Sequence, residues 1–128
     1  MKLLGDFYSM ENLDTADGQI RATLHINVNH NIFNGHFPGQ PVVPGVCMMQ
    51  MIREIFESVV KKNVYVRRAA QAKFLAMIDP RITTSLSAII AYQTSEEGKF
   101  QINASLSGDD ITFFKYKASF ELENERTV

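Results

Sequence analysis

The sequence predicts an α+β fold, with one long apolar helix packed on an antiparallel sheet of about five or six strands. Three observations carry this reading. One stretch, Pro44 to Val60, has helical periodicity and is apolar around most of its circumference. The segments on either side of it alternate apolar and polar residues with a period of two, and turn residues separate those segments at short intervals. A chain of 128 residues fits one domain, expected to span 1–128, and a composition of 45% hydrophobic and 21% charged residues argues against disorder and low complexity.

Each element has its own justification. From Lys2 to about Asn29 the pattern is strand, turn, strand. Asp14 to Gly18 supply the turn, and Ala22, Leu24, Ile26 and Val28 then alternate with Thr23, His25 and Asn27. The stretch from Asn29 to Gly45 holds Pro38, Pro41 and Pro44, three of the seven glycines and two of the three histidines. Proline fixes φ and removes a backbone donor, so this stretch reads as a stiff, irregular loop of the kind that carries functional residues. Pro44 and Gly45 suit a helix entrance, where the first amides have no intrahelical partner. In the helix, Gln50, Arg53, Glu54, Glu57 and Lys61 form one narrow polar stripe, so other structure is expected to wrap the remaining sides.

Everything after the helix reads as β. Val64 to Ile78 is a long β-branched and apolar run ended by Asp79-Pro80. Ile82 to Tyr92, Phe100 to Leu106 and Thr112 to Leu122 then alternate, separated by Glu96-Glu97-Gly98 and Gly108-Asp109-Asp110. Such spacing implies an antiparallel meander.

Charge and cysteine content exclude several function classes. Thirteen Lys and Arg against fourteen Asp and Glu leave a net charge of -1, which provides no bulk basic field for nucleic acid. Cys47 is the only cysteine, which rules out an internal disulfide or a metal site built from several thiolates. No run approaches the roughly 18 apolar residues of a membrane span. The opening MKLLGDFYSM reaches Gly5 and Asp6 too soon for the apolar core of a signal peptide. A cytoplasmic protein without nucleic-acid or membrane partners is expected.

The chemistry centres on Gly35-His36-Phe37-Pro38-Gly39-Gln40-Pro41-Val42-Val43-Pro44-Gly45-Val46. A histidine held between stiff segments can abstract a proton near neutral pH. Nine residues on, the Gly45 N–H lies at the positive end of the helix dipole with no side chain to obstruct it, and can polarise a carbonyl oxygen. A base beside an oxyanion donor is the minimum for removing a proton α to a thioester carbonyl. On the residues alone, the same loop also reads as a plain turn with a structural histidine.

GHFPGQPVVPGV resembles the signature of the 3-hydroxyacyl-(acyl-carrier-protein) dehydratases of bacterial fatty acid synthesis, the FabZ/FabA family with the hotdog fold. The approach Asn29-His30-Asn31-Ile32-Phe33-Asn34 and the later Ala72-Lys73-Phe74 with Asp79-Pro80 are also similar to that family's pattern, and the order of elements matches over nearly the whole chain. The resemblance implies a homodimer with two sites at its interface. His36 would be the base, and the Gly45 amide with Val46 would hold the thioester carbonyl. Apart from the resemblance, Phe33, Phe37 and Met49, with Cys47 and Met48 near the helix start, are candidates for lining an acyl tunnel, the alternative for the helix residues being core packing. The resemblance implies no metal or redox cofactor, and a substrate carried by acyl carrier protein or coenzyme A.

One departure from the family pattern bears on the chemistry. Where the family places a catalytic Glu or Asp from the other subunit, fourteen residues after the histidine, this chain has Gln50. A neutral amide hydrogen-bonds to a departing hydroxyl but does not protonate it. The family often has Glu and then Gln four residues later; here Gln50 precedes Glu54. Residues i and i+4 share a helix face, so Glu54 could supply the acid. Alternatively it belongs to the polar stripe and pairs with Arg53, Lys61 or a partner chain. Lys61-Lys62 and Arg67-Arg68 are candidates for docking an acidic carrier protein, although Leu75-Ala76 stand where the family frequently has arginine.

The leading expectation is a dehydratase forming the trans-2-enoyl thioester. The alternatives are a weak or inactive acyl-thioester-binding subunit that pairs with an active chain as a heterodimer, and a hotdog thioesterase. Oligomers above the dimer stay open.

Overall fold

Asp17 and Gly18 close the first hairpin. Both take left-handed backbone angles (φ 52° and 73°), the twist that suits a two-residue turn between antiparallel strands. They join β1 (Tyr8–Ala16) to β2 (Gln19–Ile26), with Ala16 opposite Gln19. The turn is narrower than the sequence suggested, because Asp14 to Ala16 continue the ladder beyond an irregularity that follows Glu11. The computed structural model describes residues 2–34 and 39–123. Beyond β2 come a 3₁₀ turn (Asn31–Phe33), α1 (Gly45–Val60), β3 (Val64–Phe74), β4 (Leu86–Glu96), β5 (Lys99–Gly108) and β6 (Ile111–Leu122).

The strands form one six-stranded sheet in the order β1-β2-β4-β5-β6-β3, and every neighbouring pair is antiparallel. One helix on a six-stranded antiparallel sheet is the architecture the resemblance implies. Only β4, β5 and β6 form the expected meander. β3 does not precede β4 in space; it pairs with β6 at the opposite edge. The reason is α1, which intervenes between β2 and β3 and carries the chain across one face of the sheet.

Alternation places the core. Ile20, Ala22 and Leu24 of β2, Leu86, Ala88 and Ile90 of β4, Ile102, Ala104 and Leu106 of β5, and Phe114, Tyr116, Ala118 and Phe120 of β6 are buried with Cys47, Met48, Met51, Ile52, Ile55 and Phe56 of α1. Phe56 meets Tyr92, Phe100 and Phe120 edge-on, with ring centroids 5.0–5.5 Å apart. β3 is different, since past Val64 it is exposed or half-buried along its whole length.

β4 begins at Leu86 and not at Ile82. The Asp79 carbonyl accepts from the Ile82 and Thr83 amides (3.0 and 2.9 Å), and its side chain accepts from the Arg81 amide (2.9 Å). This turn consumes the first residues of the anticipated strand and leaves Ile82 75% exposed. No helix is long and apolar enough to cross a membrane among the described residues.

Candidate active site

The start of α1 is built without a side-chain cap. Pro44 occupies the cap position in extended conformation (φ −63°, ψ 146°), and its carbonyl accepts from the Cys47 and Met48 amides (3.0 and 3.2 Å). The Gly45 and Val46 amides therefore lie ahead of the first intrahelical bond, at the positive end of the helix. The preceding loop is tied down at Val43, whose buried backbone N–H donates to the Ile78 carbonyl (3.0 Å).

A side chain at Gly45 would require Phe74 to shift. A Cβ there would stand 2.7 and 2.8 Å from Cε1 and Cζ of Phe74. That ring, from the Lys73-Phe74 pair, is half-exposed and stacks on Phe114 at 5.0 Å and 19°. The space the sequence reading left open over Gly45 is thus occupied by an aromatic edge. Val46, by contrast, is 67% exposed.

His36 and Phe37 lie outside the described residues. Phe33 is buried in the 3₁₀ turn, tilted against Phe7 at 5.5 Å, and Met49 is half-buried and packed on the core. His30 caps the 3₁₀ turn. Its Nδ1 accepts from the Ile32 amide at 3.0 Å, which assigns the proton to Nε2, 3.0 Å from the Asp6 carboxylate. His25 lies 2.7 Å from Glu11 on the neighbouring strand, and that hydrogen bond raises its pKa above the ordinary histidine value.

Gln50 and Glu54 are linked along α1, with Gln50 Nε2 donating to Glu54 Oε2 at 2.7 Å. Glu54 is 5% exposed, and neither Arg53 nor Lys61 is its partner. Its Oε2 also accepts from the Leu3 amide (2.8 Å), and its Oε1 accepts from the Leu4 amide (2.8 Å) and the Tyr8 hydroxyl (3.0 Å). A carboxylate has about four lone-pair sites, and four donors use them. A proton on either oxygen would have to displace one of these donors. Burial, then the Glu54 charge, pushes the Tyr8 hydroxyl well above the usual tyrosine range, and the same two causes push up the Cys47 thiol.

Sequence reasoning missed Tyr8 and the Leu3 and Leu4 amides, because they lie 46 to 51 residues from Glu54. The available signal was a carboxylate flanked along the helix by Met51, Ile52, Ile55 and Phe56. Gln50 and Glu54 also line an open groove of about 1060 Å³, shared with Lys2, Arg53, Glu57 and Lys61. At about 100° per residue, Gly45 and Gln50 point roughly 140° apart around α1. A single chain does not turn both toward one point.

The family model for ApeI-like proteins, described as ApeI dehydratase, matches residues 12–112. Among curated relatives, the 3-hydroxyacyl-(acyl-carrier-protein) dehydratase FabZ of Rickettsia conorii is 29% identical over 102 residues, covering 73% of this chain and 70% of the relative. FabZ of Levilactobacillus brevis is 28% identical and covers 88% of each. The dehydratase heterocomplex ApeI:P from Xenorhabdus doucetiae superposes with a TM-score of 0.70 at 18% identity, over 88% of this chain and 96% of that one. A hypothetical thioesterase with coenzyme A from Streptococcus pneumoniae reaches 0.66 at 12% identity, over 94% and 88%. At such identities these two structures speak for the fold alone, and the fold is the hotdog. With the family match extending from β1 to the start of β6, this chain belongs to the ApeI-like dehydratases, within the FabZ/FabA-like group of hotdog proteins.

Proposed function

We propose that this chain is a 3-hydroxyacyl thioester dehydratase. It would remove water from an acyl group carried by acyl carrier protein or coenzyme A, giving the trans-2-enoyl thioester in fatty acid or related acyl-chain biosynthesis. The observation that carries the reading is the opening of α1 on Gly45, uncapped by any described side chain, at the end of the GHFPGQPVVPGV motif. Relatives named as FabZ dehydratases, matched over 70% and 88% of their lengths, support it.

In this mechanism His36 takes the α-proton while the Gly45 amide, with Val46 beside it, stabilises the charge developing on the thioester oxygen. Gln50 binds the 3-hydroxyl. The His36 imidazolium then returns its proton to that hydroxyl, which leaves as water as the C2–C3 double bond forms. The elimination is redox-neutral, and Glu54, with its oxygens engaged, is not asked to supply a proton. Because Gly45 and Gln50 diverge around the helix, each site is assigned to the seam of a homodimer. The open edge of β3 supports such pairing, with Phe33, Phe37 and Met49 toward the acyl chain.

The decisive measurement is enoyl product formed by the purified protein from 3-hydroxyacyl thioesters of several lengths, with free thiol followed in parallel. His36→Ala is expected to lower dehydration by about 10²–10⁴-fold. Free thiol without enoyl product would instead indicate a thioesterase. The presence of Gln50 in place of a carboxylate favours one second reading, in which the chain pairs with a different subunit that supplies the acid. The fold relative from Xenorhabdus is itself described as a heterocomplex. In that case the isolated chain is silent, and adding a carboxylate-bearing dehydratase chain restores turnover.

A further inference from the structure

The face of the sheet turned away from α1 carries a cluster of cations. On β6, Lys115 and Lys117 alternate with the buried Phe114, Tyr116 and Ala118, so both point to this outer face. Residues directly opposite in an antiparallel ladder share a face. Lys73 (opposite Lys115), Gln71 (opposite Lys117) and Arg68 (opposite Ser119) of β3 therefore stand beside them. Gln101, Asn103 and Ser105 of β5, opposite Ser119, Lys117 and Lys115, continue the surface. These positions hold four cations and no carboxylate. Among the described residues, no ion pair engages any of the four. Folding gains nothing from the arrangement, since like charges directly opposite destabilise a ladder and Lys73 and Lys115 are such a pair. A lysine on an edge strand guards against unwanted pairing, which accounts for Lys73 alone. β6 lies inside the sheet, between β5 and β3. Next to Lys117, the amide side chains of Gln93, Gln101 and Asn103 line a groove of about 550 Å³ that runs to Asp17 in the first hairpin turn.

We infer that the outer face of β3, β6 and β5 docks an acidic polypeptide segment of a partner protein, with its carboxylates on Lys73, Lys115 and Lys117 and its neighbouring residues in the amide-lined groove. Charge complementarity supplies the attraction and the register. Lys115 and Lys117 are two residues apart on one strand, about 6.8 Å, which is also the repeat of alternate side chains in an extended segment. The amides give a polypeptide both donors and acceptors, whereas a lipid bilayer is flat and does not enter a groove. Pairing of two chains along the β3 edge uses backbone groups of that edge and leaves this face open. Gly45 belongs to α1, on the other side of the sheet, so the inference stands apart from the dehydratase reading.

The test is an NMR titration of the full chain with an octapeptide of alternating glutamate and threonine, and in parallel with its lysine–threonine counterpart. Backbone amide shifts are expected only with the glutamate peptide, around Lys73, Asn103, Lys115 and Lys117. Lys115→Glu combined with Lys117→Glu should weaken binding at least about tenfold. Lys2→Glu combined with Lys62→Glu changes the net charge equally at another surface and should alter binding less than about twofold. The thermal midpoint separates binding from folding. Lys115→Glu sets a carboxylate opposite Lys73, so its midpoint should rise while its affinity falls. Equal losses in the two charge-matched double variants, or shifts spread over the whole chain, would overturn the inference and leave only a general attraction. A midpoint that falls in Lys115→Glu overturns it too, by making that lysine a structural residue. So does tighter binding of wild type to phosphatidylserine vesicles or to single-stranded DNA than to the glutamate peptide. None of these measurements requires turnover, so failure of the docking surface and failure of the dehydratase reading are read from different experiments.

Discussion

A buried carboxylate has to be met by donors, and Glu54 is met by Gln50 of its own helix and by Leu3, Leu4 and Tyr8 at and before the start of β1. Tyr8 gives the clearest test of that cluster. Removing its hydroxyl costs one hydrogen bond to a charged group, about 1.5–3 kcal/mol, to be read from urea unfolding of Tyr8→Phe. The pH dependence follows from the raised tyrosine pKa. An unfolded tyrosine releases its proton near pH 10, whereas folded Tyr8 keeps its proton there because burial and Glu54 oppose the charge. The unfolded state then binds fewer protons, so this stabilisation is complete below about pH 10 and is lost as pH rises above it. The urea midpoint of wild type should therefore fall more between pH 9 and 11 than that of Tyr8→Phe. His25 is raised for a different cause, the hydrogen bond its ring donates to the Glu11 carboxylate. Its contribution is present at acidic pH and lost as pH rises through the elevated pKa. In an NMR titration the His25 pKa should lie above the ordinary value of about 6.5 and return toward it in Glu11→Gln.

At the scale of elements, α1 is where local and distant demands meet. Phe56→Ala would empty the space between three aromatic rings and should cost about 3–5 kcal/mol, measured by chemical denaturation. At the other end of the helix, Lys61 holds a left-handed conformation (φ 57°) as the C-cap. Lys61→Gly should raise stability by about 1 kcal/mol. Most of these elements were legible from residue pattern. The alternation from Leu86 to Leu122 and the helix from Gly45 to Val60 depend on local periodicity, which survives in a single sequence. The position of β3 beyond β6 was not legible, because strand order is decided by where the helix delivers the chain. The site divides in the same way. The loop motif and Gly45 could be read directly, whereas the partners of Glu54 and the Phe74 ring over Gly45 are products of tertiary contact. His36 and Phe37 lie outside the described residues, so their roles stay with the proposal.

For the whole molecule, the open edge of β3 is the main unresolved demand. Val46, Phe74, Leu75, Met77 and Ile82 are between 51% and 75% exposed, and an unpaired strand edge is a template for another chain. The wild-type protein should sediment at twice the mass of one chain. Leu75→Glu combined with Met77→Glu should shift it toward monomer and abolish turnover together. A monomer that still forms enoyl product would exclude a site shared between chains.

The Glu54 clamp also has a consequence for synthesis on the ribosome. Leu3, Leu4 and Tyr8 find their acceptor only after some fifty more residues have been translated. Until then the first hairpin can form its turn but not its anchor. A nascent chain stalled before Glu54 should be cut by protease around Leu3 to Tyr8, and one stalled well past the helix should be spared there.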